Sequence, residues 1–381
     1  DPGNVAANLT AGARFGYLLV WVLVAANVMA MLVQYLSAKS GLITGRSLPG
    51  LLGDRLPRGR RIAYWAQAEA VALATDLAEV LGGAIALKIL FGIPLVWGGL
   101  IVGVVSMLIL AVQTRSGQRP FELTVMGLLL VITIGFTAGL FVSDVSWPET
   151  ANGLVPRFDG SESVLLAASM LGATVMPHAI YVHSALARDR HGHRPDELPR
   201  ILQATRWDVG LSMLVAGAVN IAMLLLAAAS LQGVAGTDSI EGAHAAITDA
   251  LGPAFGVLFG IGLLASGLAS TSVGCYAGAT IMNGLLRIKV PLVVRRAVTL
   301  VPALAILAAG VNPTTALVLS QVFLSLGIPF ALIPLVRITS DRTLMGRHVN
   351  GRPLQVTAWV VIALVIALNL ALVGLTVLGW G

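Results

Sequence analysis

Hydrophobic residues form long runs along the chain, and short polar stretches separate these runs. A helix of about 20 residues, rising 1.5 Å per residue, is long enough to cross the hydrocarbon core of a bilayer. Most of the runs have about that length, so the pattern predicts an all-α, polytopic membrane helical bundle. The runs occupy residues 16–42, 62–90, 96–112, 123–142, 164–175, 209–231, 254–286, 292–309, 314–336 and 354–378.

The composition agrees with a lipid environment. Of the 381 residues, 57% are hydrophobic and 11% are charged, and the mean hydropathy is +0.88, which is too apolar for a soluble core. The net charge of +6 does not indicate a nucleic-acid partner, because the basic residues border the hydrophobic runs, where membrane topology explains them. The single cysteine, Cys275, excludes an internal disulfide and is predicted to be a packing residue.

The chain opens at Asp1, and a short apolar segment follows Asn4. Since no Met or basic leader precedes it, we expect a missing N-terminal stretch that supplies the first half of a spanning helix, giving eleven spans in the complete protein. Lys and Arg support this count, because all but Arg14, Lys88 and Arg157 of the 24 fall on one side of the bilayer. The positive-inside rule then places the missing N-terminus in the cytoplasm and the C-terminus outside.

The loops on the opposite side carry acidic residues instead. Two interpretations are open: these are ordinary solvated loops, or they raise the local concentration of cations. The acids are Asp144, Glu149, Asp159, Glu162, Asp238 and Glu241.

Proline interrupts two of the predicted helices, once in the opening Asp1-Pro2-Gly3-Asn4 and once in Val175-Met176-Pro177-His178. Proline lacks a backbone donor and clashes with the preceding turn, so each helix kinks or unwinds there. Matching breaks in successive five-span halves are typical of LeuT-like 5+5 inverted-repeat transporters, which bind substrate where the helices unwind. We predict one transporter domain over 1–381, with repeats at about 1–142 and 161–336 and an extra span at about 354–378.

The residues at the two breaks indicate a cation site. Unwound backbone exposes carbonyl oxygens, and Asp1 adds a negative charge, Asn4 a neutral oxygen and Met176 a soft thioether. A carboxylate within a membrane is costly and usually functional, whereas a lone methionine is most often core packing. Together they favour a cation that accepts sulfur, such as Mn²⁺, Fe²⁺, Co²⁺ or Cd²⁺, over Mg²⁺ or Ca²⁺.

Three strings of the sequence resemble the Nramp family of proton-coupled divalent-metal transporters: DPGN at the start, GATVMPHAIYVHSAL at 172–186 and ATDLAEVLG at 74–82. The resemblance implies proton-coupled import of Mn²⁺ and Fe²⁺, and also of Cd²⁺ and Co²⁺, across the plasma membrane of a bacterium. It implies no cofactor and no obligate protein partner. Asp1, Asn4 and Met176 would be side-chain ligands, the Ala173 carbonyl a backbone ligand, and Gln321 a residue that approaches the metal. The family has a half-helix before DPGN, with an alanine carbonyl that can reach the metal, and this sequence lacks both.

Glu69, Asp76 and Glu79 lie at spacings of seven and three, which places them on one face of a single helix. From the residues alone, two interpretations are equal: a polar stripe neutralised by Arg295 and Arg296, or a proton route through carboxylates in a low dielectric. The resemblance favours the proton route for Asp76, Glu79 and the arginine pair, and Glu69 is its weakest member.

Two histidines and one asparagine complete the candidate residues. His178 follows the second break directly and either tunes proton coupling, braces the turn or binds metal, and His183 is either a proton-pathway residue or a hydrogen-bonded structural one. Asn220 is predicted to bridge helices or waters, with a gate role implied by the resemblance.

Two other functions compete with metal transport. An amino-acid/cation symporter on the same fold binds a carboxylate at its breaks, and Asp1 beside Met176 argues against that. An intramembrane hydrolase would show an HExxH motif or a Ser/His pair, and no such spacing is present, so we predict no enzyme activity.

Overall fold

The computed structural model describes residues 1–116, 118–192, 196–237 and 239–378, and every regular element within them is helical. Two short 3₁₀ turns, Ala138–Val142 and Gly346–His348, accompany the α-helices. In chain order the α-helices are α1 (Pro2–Phe15), α2 (Val20–Thr44), α3 (Leu48–Arg55), α4 (Arg58–Phe91), α5 (Leu95–Ser116), α6 (Gln118–Thr137), α7 (Trp147–Asn152), α8 (Gly160–Thr174), α9 (Pro177–His191), α10 (Leu198–Ser230), α11 (Ile240–Leu251), α12 (Pro253–Leu286), α13 (Leu292–Ala308), α14 (Pro313–Thr339), α15 (Arg342–Met345) and α16 (Arg352–Leu378).

Eight helical segments are long and apolar enough to cross a membrane, and the apolar helix Leu95–Ala111 is shorter. The segment Gly160–His191 counts as one of the eight although a break divides it into α8 and α9. Two further apolar helices, α1 with 14 residues and α13 with 17, fall short of a full span. The predicted all-helical membrane bundle is thereby confirmed, and one of its two predicted interruptions lies between α8 and α9. The interruption predicted at residues 1–4 stays a prediction, because α1 begins at Pro2.

Hydropathy missed four short helices in the polar stretches, α3, α7, α11 and α15. Each begins at a side chain that accepts a hydrogen bond from the backbone of its own first turn, at Ser47, Ser146, Ser239 and Asp341. Ser and Asp are preferred N-cap residues, so this signal was present in the sequence. A search for membrane-length runs passes over it because these helices have between four and twelve residues.

Ion pairs between loops agree with the predicted alternation of sides. Arg14 pairs with Glu162, and Lys88 lies 3.4 Å from Glu241, so both pairs join loops predicted to be external. Arg55 lies 3.0 Å from Asp341, both predicted to be cytoplasmic. Each of these three pairs therefore joins two residues on the same predicted side.

The same pairs bear on the acidic external loops. Glu162 and Glu241 form ion pairs, which favours a structural role for these two acids over a general attraction of cations. Asp238 lies outside the described residues. Which side of the bundle faces the cytoplasm stays a prediction.

The interior of the bundle is built around α1, which packs against α8, α10 and α14. The longest contact between two helices joins α4 and α12, each with 34 residues. The broken segment α8–α9 lies against α2 and α14. Both interruptions therefore lie inside the bundle, with α14 in contact with each.

Candidate functional site

The carboxylate of Asp1 caps the N-terminus of α1. Asp1 is the N-cap of α1, and its two carboxylate oxygens accept hydrogen bonds from the backbone N–H groups of Gly3 at 3.3 Å and Asn4 at 3.2 Å. Pro2 occupies the first helical position, where its missing N–H costs nothing. These bonds fix the Asp1 carboxylate at the positive end of a helix dipole.

The second break spans two residues between α8 and α9. Val175 ends α8 with φ −104° and ψ 61°, and Met176 precedes α9 in an extended conformation. Residue 177 is proline and has no N–H, so the carbonyl of Ala173 lacks the donor that an intact helix would supply four residues later. The break therefore leaves the Ala173 carbonyl oxygen available to a ligand.

A cavity of about 290 Å³ lies between the two breaks. Four predicted metal ligands, Asp1, Asn4, Ala173 and Met176, line it together with Asn220. The structure thus brings together residues that are more than 170 positions apart in the sequence. A carboxylate, an amide, a freed carbonyl and a thioether share one cavity.

The cavity also exposes polar residues that the sequence analysis did not select. They sit singly inside apolar runs of α2, α6, α8, α10 and α12, where hydropathy gives no reason to choose them. The signal that could have found them is a small polar side chain in a membrane helix. They are Asn27, Thr133, Thr174, Ser212 and Ser266.

A chain of amides fixes the orientation of Asn4. The Asn8 Nδ2 donates to Asn4 Oδ1 at 3.2 Å, and Asn4 Nδ2 donates to Asn220 Oδ1 at 2.6 Å. Asn220 belongs to α10, so the predicted bridge between helices is present in the structure. The Asn4 oxygen retains a second lone pair for a ligand.

Gln321 does not line the cavity. It is fully buried in α14, its amide lies against the backbone at Gly3, and its Nε2 is 3.2 Å from Ser320 Oγ. Gln321 thus contacts the first turn of α1 at Gly3 without lining the cavity. Its approach to a metal stays a prediction.

The acidic face of α4 meets two arginines of α13. Glu69 lies 2.7 Å from the Arg295 guanidinium, and Asp76 lies 3.6 Å from that of Arg296. Asp76, Glu79 and Arg296 are each at most 1% exposed. Glu69 is half-buried, and Arg295 is 4% exposed. These five residues form two ion pairs and a buried carboxyl group along one face of α4, and we call them the acidic network.

Two neighbours shape this network. Arg296 Nε donates to the Ser106 hydroxyl at 2.8 Å, which anchors the guanidinium to α5. Gly274 of α12 faces the carboxylates, since a Cβ there would lie 2.9 Å from Glu79 Oε1 and 3.5 Å from Asp76 Oδ1. The absence of a side chain at position 274 leaves the space that the Glu79 carboxyl group occupies.

His178 connects the second break to the acidic helix. Its Nδ1 lies 3.2 Å from the Thr75 hydroxyl, which itself lies 3.1 Å from the Val71 carbonyl. A hydroxyl has one proton, so when Thr75 donates to the Val71 carbonyl it accepts from an N–H at Nδ1 of His178. His183 instead pairs with Gln34 of α2 at 2.8 Å, the arrangement expected of a structural histidine.

Within the part of the chain that the structure describes, no group of three or more His, Cys, Asp or Glu side chains comes together as a metal cluster. The candidate site offers one carboxylate among neutral donors instead. The fold, with a polar cavity between the start of α1 and the break that separates α8 from α9, defines a multi-pass membrane transporter.

The chain belongs to the Natural resistance-associated macrophage protein-like (Nramp) family, whose model matches residues 1–375. It is 62% identical over 382 residues to the divalent metal cation transporter MntH of Mycobacterium tuberculosis, covering 100% of this chain and 89% of that protein. Family members are transporters, so the expectation that the chain is not an enzyme is confirmed.

Solved structures give the same fold. The crystal structure of the Eremococcus coleocola manganese transporter, in complex with an aromatic bis-isothiourea substituted compound, is similar with a TM-score of 0.87 and 29% identity, over 97% of this chain and 82% of that one. MhsT in complex with L-phenylalanine is similar with a TM-score of 0.62 and 14% identity, over 96% of this chain and 98% of that one. At that identity the likeness to MhsT shows a shared LeuT-like fold alone.

Proposed function

We propose that the chain imports divalent transition-metal ions, Mn²⁺ and Fe²⁺ and also Cd²⁺ and Co²⁺, by alternating access coupled to protons. The observation that carries the proposal is the set of donors in one cavity: Asp1, Asn4, Met176 and the freed carbonyl of Ala173. A single carboxylate attracts a cation without neutralising it fully, which suits an ion that must leave again.

The thioether decides the class of cation. Ca²⁺ and Mg²⁺ bind oxygen donors and gain nothing from sulfur, whereas first-row transition metals and Cd²⁺ accept it. Met176 is half-buried and lines the same cavity as Asp1, which places a thioether and a carboxylate around one space. The printed names of the relatives, a divalent metal cation transporter and a manganese transporter, support the same class.

Charge counting supports proton coupling. The acidic network holds three carboxyl groups, the buried Asp76 and Glu79 and the half-buried Glu69, against the two guanidiniums of Arg295 and Arg296. With all five groups ionised, one negative charge has no counter-charge, and binding of one proton neutralises the network. This uncompensated negative charge favours binding of one proton in the network, at a position separate from the metal.

The location in the cell is part of the proposal. We place the protein in a bacterial plasma membrane, with the basic loops in the cytoplasm. Arg55 pairs with Asp341 on the side predicted to be cytoplasmic, and Lys88 pairs with Glu241 on the side predicted to be external. These two pairs support the predicted alternation of loops between the two sides, on which the orientation depends.

The test is uptake of Mn²⁺ into vesicles that contain the purified protein, with a pH-sensitive dye inside. We expect Mn²⁺ entry that rises with an inward proton gradient and acidifies the lumen. Excess Cd²⁺ should compete, whereas Ca²⁺ and amino acids should not. Competition by an amino acid, or Mn²⁺ entry with no lumenal acidification, would overturn the substrate class or the coupling, respectively.

A further inference from the structure

Helix α14 contains two interior prolines, Pro329 and Pro334. A proline inside a helix cannot donate to the carbonyl four residues earlier, so Pro329 frees the carbonyl of Ser325 and Pro334 frees that of Phe330. An unpaired carbonyl in a membrane interior is costly, and neighbouring helices usually supply the missing donor.

The first freed carbonyl is paired with α16. Asn369 Nδ2 donates to the Ser325 carbonyl oxygen at 2.9 Å, and the Ser325 hydroxyl donates back to Asn369 Oδ1 at 2.9 Å. Both residues are buried. One asparagine of the last helix thus replaces the donor that Pro329 removes.

The second freed carbonyl is paired with α4. The Tyr64 hydroxyl donates to the Phe330 carbonyl oxygen. Tyr64 belongs to the helix that also carries Asp76 and Glu79. Each interior proline of α14 therefore has its own donor, and the two donors come from different helices.

The turn of α14 that precedes Pro329 contacts both interrupted helices. The Gln321 amide lies against the backbone at Gly3 in the opening break. At the second break, a Cβ on Gly327 would lie 2.7 Å from Val71 Cγ2 and 3.2 Å from Pro177 Cγ. A small displacement of this turn would therefore move the wall behind the substrate cavity.

We propose that Asn369 and Tyr64 are positioning residues, which replace the backbone donors lost at Pro329 and Pro334 and so hold the 321–327 segment of α14 against both breaks. Neither residue lines the cavity, and each acts through α14. The role of α16 in this fold is then to supply Asn369. The consequence for transport rests on the proposed function, whereas the pairing of each proline with its donor does not.

The test is a crossed set of double variants. Asn369→Leu and Tyr64→Phe each remove one donor, and we expect each to lower the apparent unfolding midpoint of the full chain in detergent by about 2 °C or more. Alanine in place of proline restores a backbone N–H. Pro329→Ala should therefore abolish the effect of Asn369→Leu but not that of Tyr64→Phe, and Pro334→Ala should do the reverse.

Two controls separate this pairing from general effects. Pro302→Ala removes an interior proline from α13 and should rescue neither variant, although it can raise the midpoint by itself. Ser325→Ala removes the hydroxyl but keeps the carbonyl, so Pro329→Ala should not rescue it. Equal rescue by all three proline variants, or no rescue by the matched ones, would overturn the pairing.

The positioning role has its own readouts. We expect Asn369→Leu and Tyr64→Phe to speed hydrogen exchange in 321–327 and to raise the apparent KM for Mn²⁺ severalfold, with a smaller effect on the maximal rate. If the matched proline variants rescue stability but hydrogen exchange in 321–327 and the apparent KM are unchanged, Asn369 and Tyr64 only stabilise the fold. That result would contradict the positioning role. A wild type that moves no Mn²⁺ would refute the proposed function, while the midpoints and exchange rates would still decide this inference.

Discussion

The imidazole Nδ1 of His178 lies 3.2 Å from the hydroxyl of Thr75, one residue before Asp76 on α4. This bond joins the first turn after the second break to the helix that carries the acidic network. A displacement of His178 would therefore reach the residue next to Asp76, although Asp76 itself does not line the cavity that contains Met176. The two sites can be altered separately, which the next two predictions use.

Replacing Met176 with alanine should change metal selectivity before it reduces activity. Loss of the sulfur removes a donor that Cd²⁺ uses strongly and that Ca²⁺ cannot use. We expect Cd²⁺ uptake to fall about tenfold more than Mn²⁺ uptake, equivalent to about 1.4 kcal/mol, and Ca²⁺ or Mg²⁺ entry to become measurable. Vesicle uptake of each ion measures this.

Met170 offers the matched control for that substitution. It lies on α8, is fully buried in the apolar core and does not line the cavity. Met170→Ala should lower stability by about 2–5 kcal/mol and leave the ratio of Cd²⁺ to Mn²⁺ uptake unchanged. Unchanged Ca²⁺ discrimination in Met176→Ala would remove sulfur from the selectivity argument.

Replacing Asp76 with asparagine should weaken proton flux and leave metal binding measurable. The carboxylate is buried beside Arg296 and does not line the substrate cavity. Its loss leaves two carboxyl groups against two guanidiniums, so the network no longer needs a proton for neutrality. Proton entry followed by a pH dye, together with Mn²⁺ binding by calorimetry, measures both quantities.

The control is Glu162→Gln, which removes an exposed acid in the first turn of α8 that pairs with Arg14 and has no contact with the network. It should leave proton flux at the wild-type level. Wild-type proton flux in Asp76→Asn as well would mean that the stripe is structural and that the arginine pair only neutralises it.

Much of this site could be predicted from the sequence because its signals are local. Pro177 is visible as a proline between two apolar stretches, Pro2 as one that precedes an apolar segment, and the acids of α4 stand out because charge is costly in a membrane. Asn369 and Tyr64 were not found in this way. Their role depends on which freed carbonyl each side chain reaches across the bundle, and that distance is a tertiary property which spacing along the chain does not contain.

The loop between α14 and α15 should respond to acid. Asp341 accepts hydrogen bonds from the Thr343 hydroxyl and from Arg55, and these bonds lower its pKa from 3.8 to about 2. A carboxyl whose pKa is lower in the folded state stabilises that state above its unfolded pKa, and the contribution is lost as the pH falls toward the folded value.

We therefore expect Asp341→Asn to lower the unfolding midpoint at about pH 7, with the difference from wild type shrinking as the pH falls below about 4. Midpoints measured in detergent across this range provide the check. Arg55→Gln should show the same trend with a smaller amplitude, because it removes one of the partners of Asp341. A difference that stays constant with pH would contradict the assignment of the effect to this carboxylate.

Space for the acidic carboxylates depends on Gly274. A Cβ at this position would lie 2.9 Å from Glu79 Oε1, closer than normal contact, and both groups are confined between α4 and α12. The added methyl group must displace the Glu79 carboxyl group or separate the helices, and the interior around this buried group is close-packed. Gly274→Ala should therefore destabilise the protein by about 1–3 kcal/mol and reduce proton-coupled uptake.

Gly127→Ala is the matched control, since Gly127 lies on α6 with open space around it, and the substitution should stabilise the helix by about 0.5–1 kcal/mol. Unfolding midpoints and Mn²⁺ uptake of the two variants decide the matter. If Gly274→Ala behaves like Gly127→Ala in both measurements, the carboxylates are not held against α12 and the network is looser than its geometry indicates.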